Sequence, residues 1–308
     1  MKWTAAVLAV LLVLAIIPVP GAMATVTPIS VLTDLEGMLY GETQDGSLME
    51  RVEKMEKDIF GETKSGAVML RIDRMKEYLQ SSGSDAASLM LQLNMAEWGF
   101  VAYIDADRPL LERLDELEMT LLGETQAGPI QDRTENLMVM VWGTARLDSE
   151  SVVLPSETLV KIRMLNHVDS GKNEVGDKVR FRVVEDVKIN GRIVIPAGLE
   201  AEGEVTEVTS AGRLGRDGRL VIDFGQLTTL DGLKVPVKID ERATEENRSL
   251  ELAAGASMAG VLLLGPIGLV SGYFIRGQDV KIPAATEFYV ETGRQVRTTG
   301  LRLQPATQ

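Results

Sequence analysis

No cysteine occurs among the 308 residues, and histidine occurs once. The first absence excludes a disulfide framework and a lipid-modified cysteine anchor, so an exported chain of this kind is held by core packing alone. Together the two absences leave few ligands for a zinc or copper site, and no cofactor is assigned. Aromatic residues make up only 5% of the chain and do not interleave with a Lys/Arg cluster. With a net charge of -13, the chain repels phosphate backbones, and nucleic acid is not an expected partner. The acidity is uneven: Thr25 to Glu150 holds 24 acidic and 11 basic residues, whereas Ser151 to Gln308 holds 21 and 20.

Long apolar runs are also few, and the two present are informative. The first, about Ala5 to Val19, follows Met1-Lys2-Trp3 and precedes Pro20-Gly21-Ala22-Met23-Ala24. A positive residue, an apolar core and small residues at the -3 and -1 positions predict a secretory signal over 1-24, cleaved after Ala24. The competing reading is an uncleaved anchor, against which the run is short for a full span. The second run, Leu252 to Ile275, carries no charge and is broken by Gly265-Pro266-Ile267-Gly268. Its small residues permit close helix contact, and Leu262, Leu263, Leu264, Ile267, Leu269 and Val270 are candidates for membrane or oligomer contact. A buried structural insert is the equal alternative.

Residues 25-150 read as an acidic helical repeat region with a period of about twenty. Leu35-Glu36-x-x-Leu39-Tyr40-Gly41 recurs as Met55-Glu56-x-x-Ile59-Phe60-Gly61 and as Leu117-Glu118-x-x-Leu121-Leu122-Gly123, with a weaker copy ending at Trp142-Gly143. Trp98-Gly99 suggests a further, stretched unit, about five in all. Apolar residues such as Leu48, Val52, Met55 and Ile59 keep helical spacing, so each unit is a short amphipathic helix. Gly41, Gly61, Gly123 and Gly143 are read as left-handed helix stops. Arg51, Arg71, Arg113 and Arg133 share one register within the units. Helices of about thirteen residues are marginal alone, so the units pack on one another or on a partner subunit. Glu42, Glu62 and Glu124 in the recurrent Gly-Glu-Thr loops are candidate contact points for cell wall, cations or another envelope protein. Their repetition argues against a catalytic role, because one active site needs one constellation.

Residues 151-308 switch to period two and read as strands. Lys178 to Val183 alternates well, Asn190-Gly191 marks a hairpin, and Asp231-Gly232 marks a turn before a strand through Val235 and Val237. The final strand pair is expected in "VKIP" and "TEFYVET". Gly212 to Arg219 is a hairpin turn rather than a phosphate loop, since it lacks the Gly-Lys-Ser/Thr ending. His167 has no second histidine or cysteine beside it, and no Gly-x-Ser-x-Gly signal occurs.

The phrases Val184-Glu185-Asp186-Val187, Ile193-Val194-Ile195-Pro196-Ala197-Gly198, Gly218-Arg219-Leu220-Val221-Ile222, Leu230-Asp231-Gly232, Val280-Lys281-Ile282-Pro283 and Thr286-Glu287-Phe288-Tyr289-Val290 occur in this order. Over about Leu154 to Val290 the chain thereby resembles the C-terminal β-barrel domain of the scaffold family that forms the outer-membrane core of type IV secretion and conjugation systems. The resemblance implies a ring-forming, non-catalytic domain and makes 252-275 a shortened helical antenna. The chain differs in having a signal peptide and helical repeats where the family has a cytoplasmic head and Pro-rich linker. Those repeats are similar to ones in envelope proteins of diderm Firmicutes.

The resulting expectation is an α+β protein: short-helix repeats, then an antiparallel β-barrel-like domain with an apolar helical insert. Its expected role is a non-enzymatic envelope scaffold or attachment protein, periplasmic or outer-membrane associated, and a homo-oligomer that also contacts envelope proteins or cell wall. The alternatives are a membrane-anchored binding module spanning with 252-275 and an envelope hydrolase using carboxylates of the β domain.

Overall fold

The computed structural model describes residues 27-80, 87-212, 218-254 and 279-303. The signal segment 1-24 and the six apolar contact candidates between Leu262 and Val270 lie outside these residues. Among the described residues no helix is long and apolar enough to cross a membrane.

Six helices of thirteen residues come first: α1 (Pro28–Tyr40), α2 (Leu48–Phe60), α3 (Val68–Gln80), α4 (Leu89–Val101), α5 (Leu110–Leu122) and α6 (Ile130–Trp142). The sequence count of about five units is therefore corrected to six. The discrepancy arises where the glycine signal fails. α3 ends at Gln80, and α4 ends at Ala102, which adopts the left-handed conformation with φ 55°. Gly99 lies inside α4 and is no stop. A Cβ there would lie 2.6 Å from Val141 Cγ1 and 2.8 Å from the Trp142 ring, so its bare backbone lets α6 cross closely.

Local chemistry sets the other ends. Thr27 with Ser30, and Ser47 with Glu50, form capping boxes that satisfy first-turn amides. Pro109 and Pro129 precede α5 and α6. α1, α2 and α3 pack together, as do α4, α5 and α6; the trios join through α1 on α5, α2 on α6 and α3 on α4. The buried stripe includes Leu32, Leu35, Leu39, Val52, Met55 and Ile59.

Strands begin at Asp148. A four-stranded antiparallel sheet has the order β1 (Asp148–Leu154), β13 (Val296–Arg302), β6 (Arg192–Ile195), β5 (Val187–Ile189). A seven-stranded one runs β8 (Arg219–Asp223), β7 (Glu200–Thr209), β4 (Lys178–Val183), β2 (Leu159–Met164), β12 (Glu287–Thr292), β10 (Lys234–Lys238), β9 (Gln226–Thr228). The expected final pair is corrected: β11 (Lys281–Ile282) pairs with β3 (Val168–Asp169), while β12 pairs with β2 and β10. The last strand is β13, paired along β1 from Asp148↔Arg302 to Leu154↔Val296. Asn190 and Gly191, at φ 52° and 76°, make the predicted β5–β6 hairpin. Phe181, Phe224 and Phe288 meet edge to face at 5.6 Å in the core. Helix α7 (Glu241–Ala254) lies on β12, where Asn247 donates from Nδ2 to the Tyr289 carbonyl and accepts from the Tyr289 amide.

Candidate functional site

The shared arginines are not surface markers. Arg51, Arg71, Arg113 and Arg133 are buried, each gripping a carboxylate on the preceding helix: Glu36, Glu56, Glu97 and Glu118. Nε and Nη2 both donate to that carboxylate, at 2.6 to 3.0 Å. This is the bidentate geometry that suits guanidinium and carboxylate. The same glutamate accepts a backbone amide eight residues later, from Gln44, Lys64, Asp105 or Gln126, and so fixes the interhelix loop. Each pair thus locks a helix end, a loop and the next helix. Burial alone would raise the Glu56 carboxyl, but Arg71 and the Lys64 amide outweigh it and hold it below the usual range.

The ladder is interrupted once. At the α3–α4 step the two positions hold Lys76, which is exposed, and Gln92, whose Nε2 donates to the Ala87 carbonyl. The loss of both partners together is what electrostatics requires, since a lone buried charge would be costly. Sequence reading singled out the arginines but not these glutamates. The available signal was their interval, with Glu36, Glu56 and Glu118 each fifteen residues before an arginine.

The four stop glycines occupy left-handed C-caps with φ from 74° to 85°. Two of them are also contact points. A Cβ on Gly41 would lie 2.7 Å from Pro109 Cγ, and one on Gly61 would lie 2.8 Å from Pro129 Cγ; around Gly123 and Gly143 the space is open. Glu42, Glu62 and Glu124 project to solvent, and Glu62 pairs with Lys64 at 2.7 Å.

Helix α4 joins the array to the β domain. Its sequence is apolar nearly all round, and Leu89, Leu91, Leu93, Asn94, Met95, Ala96 and Glu97 are buried, as befits a helix enclosed on several sides. Arg113 Nη2 donates to Asn94 Oδ1 at 2.5 Å, and Asn94 Nδ2 donates to the Leu230 carbonyl at 2.8 Å. Trp98 Nε1 donates to the Ala197 carbonyl at 2.8 Å. The Leu230-Asp231-Gly232 and Ala197-Gly198 turns are thus the seats of α4. Asp231 is held by Thr298 Oγ1 and the Thr299 amide of β13, each at 2.7 Å, which ties the seat to the four-stranded sheet.

Beside this junction lies a cavity of about 560 Å³, lined by Tyr103, Asp105, Asp107, Arg180, Glu200 and Lys234 among others. Its two cations are paired with carboxylates of the lining. Lys234 pairs with Asp107, and Glu200 accepts from Arg182 at 2.5 Å and Arg180 at 2.9 Å, which hold its carboxyl below the usual range. His167 is exposed, 3.6 Å from Asp169. Among the described residues, no group of three His, Cys, Asp or Glu is arranged to hold a metal ion.

No family model matches the chain, and no curated protein matches it. Among solved structures, ComB10 of the Com type IV secretion system of Helicobacter pylori is similar at 13% identity, covering 47% of this chain and 89% of that chain, with a TM-score of 0.28.

Proposed function

We propose that the protein is a non-enzymatic scaffold or attachment protein of the cell envelope, exported through its N-terminal signal and assembled through its helical array. The observation that carries this reading is the relay from Glu97 through Arg113 and Asn94 to the Leu230 carbonyl. It fastens an array of repeated helices to a β domain through a chain of buried polar groups, an arrangement suited to transmitting position rather than to turning over a substrate. The repeats' common charges are spent inside the array, and the Gly-Glu-Thr loops are left as its acidic outer face. The phrases that carry the resemblance to secretion scaffolds include both turns on which α4 sits.

Fractionation of cells producing the tagged protein tests the reading. The expected result is recovery with the envelope or periplasm of a chain whose mass shows cleavage after Ala24. Full-length chain confined to the cytosol would overturn it.

A further inference from the structure

The seven-stranded sheet is open along one seam. Among the described residues β9 is a terminal strand that pairs only with β10, and β7 pairs with β8 from Glu204 onward but has no ladder partner on that side over residues 200-203. Antiparallel ladders alternate between residues whose main-chain groups bond the neighbour and residues whose groups point away from it. On β9 the flanking bonds fix the alternation: the Gly225 carbonyl accepts from the Val237 amide, and the Thr229 amide donates to the Leu233 carbonyl. Gln226 and Thr228 therefore aim their N–H and C=O groups away from β10, and Pro236, opposite Gln226, has no N–H to offer. On β7 the Leu199 carbonyl accepts from the Val183 amide and the Val205 amide donates to the Asp177 carbonyl, so the odd positions bond β4. Glu200 and Glu202 point away from it, into the seam.

These four residues line one cavity, the cleft of about 560 Å³ beside the α4–α5 loop. The two strands come together at Gly225, where a Cβ would lie 3.0 Å from the Glu202 carbonyl oxygen. Main-chain donors and acceptors without a ladder thus face an open space, which is the condition for an extended chain to add as a strand. The side chains set the charge of that chain. Asp105, Asp107, Glu200 and Glu202 stand in the lining against two cations, Arg180 and Lys234. Asp105 and Glu202 pair with cations outside the lining, Arg108 at 3.9 Å and Lys178 at 3.6 Å, both beyond hydrogen-bonding length. Tyr103, 47% exposed, adds a ring face that suits a cationic side chain.

We infer that this seam binds an extended segment of a partner polypeptide, with basic side chains at alternate positions, added as a strand along β9. Residues bonded across an antiparallel pair place their side chains on the same face. Gln226 and Thr228 lie on the outer face and the buried Leu227 on the inner one. The residues that bond Gln226 and Thr228 are therefore the basic ones, which brings their side chains to the outer face beside Asp105 and Glu202. The residues between them are apolar and turn toward the barrel interior. The inference goes beyond the scaffold reading and stands apart from it, since it requires neither export nor self-assembly.

Calorimetric titration of the purified protein with the capped peptide Lys-Val-Lys-Val-Lys-Val provides the test. The peptide is expected to bind, and Thr228→Pro to raise its Kd about tenfold or more, the effect of one main-chain hydrogen bond. That substitution removes an N–H that the β9–β10 ladder does not use. A second measurement needs no variant: the same peptide N-methylated at its lysines keeps every charge, loses the N–H groups that bond β9, and should bind at least tenfold more weakly. Absence of binding by the unmodified peptide would overturn the inference. So would an unchanged Kd for the folded Thr228→Pro variant, or equal binding of the N-methylated peptide, which would show that charge alone attracts it. Failure here with intact envelope recovery would leave the scaffold reading standing, whereas cytosolic retention would remove that reading by itself.

Discussion

Gly41 and Gly123 hold the same place in the repeat and nearly the same backbone conformation, with φ 85° and 82°. They differ in what lies beyond the missing side chain. A methyl group at Gly41 meets Pro109 at 2.7 Å, whereas at Gly123 it meets open space. Gly123→Ala should therefore lose only the left-handed preference, about 1 kcal/mol, while Gly41→Ala should lose that and a further 1 to 2 kcal/mol, roughly, from the forced shift of α5. Denaturant midpoints of the two variants check the difference, and equal losses would show that the Pro109 contact is without consequence. Glu42 and Glu124 are exposed in the same loops, so their replacement by Gln should change stability by less than about 0.5 kcal/mol.

The helices are held at the next scale by four buried pairs, and such pairs respond asymmetrically to mutation. Removing one partner strands a charge: Arg71→Ala should destabilise by about 3 to 5 kcal/mol, whereas Glu56→Leu with Arg71→Met should be near neutral. Because the Glu56 carboxyl is held low by Arg71 and the Lys64 amide, its contribution is fully present above its ordinary value of 4.5. That contribution is lost as pH falls through the lowered value of the folded state, so the acid limb of stability should be shallower in the double variant than in the wild type. Parallel acid limbs in the two proteins would contradict this. The repeated helices were legible in the sequence because apolar spacing and glycine stops agree at α1, α2, α5 and α6. Gln80 and Ala102 hid two ends. Glu36 and its equivalents were not singled out because a carboxylate beside an apolar position reads as solvent-facing; only the arginine and the loop amide, both distant in sequence, make its burial tolerable. β13 escaped for a related reason. Thr298 and Thr299 are buried there, and their Asp231 partner comes from a turn far back in the chain.

In the whole molecule, α4 is the element on which array and β domain both depend. Asn94→Ala removes the group that accepts from Arg113 and donates to the Leu230 carbonyl, leaving buried polar atoms unpaired at about 1 to 3 kcal/mol each. Calorimetry should then resolve separate melting of the helical and β parts where the wild type shows one coupled transition; a single unbroken transition in the variant would mean that packing alone joins them. Of the two turns that receive α4, Asp231-Gly232 was recognised in the sequence as a turn and Ala197-Gly198 was not, and the role of both as its seats emerges only from the tertiary arrangement. The proposed scaffold role requires this chain to assemble in the cell envelope. Cross-linking of the tagged full chain in intact cells, followed by denaturing electrophoresis of the envelope fraction, tests it most directly. Bands at multiples of the monomer mass are expected in that fraction, and a lone monomer band recovered with the cytosol would overturn the scaffold reading.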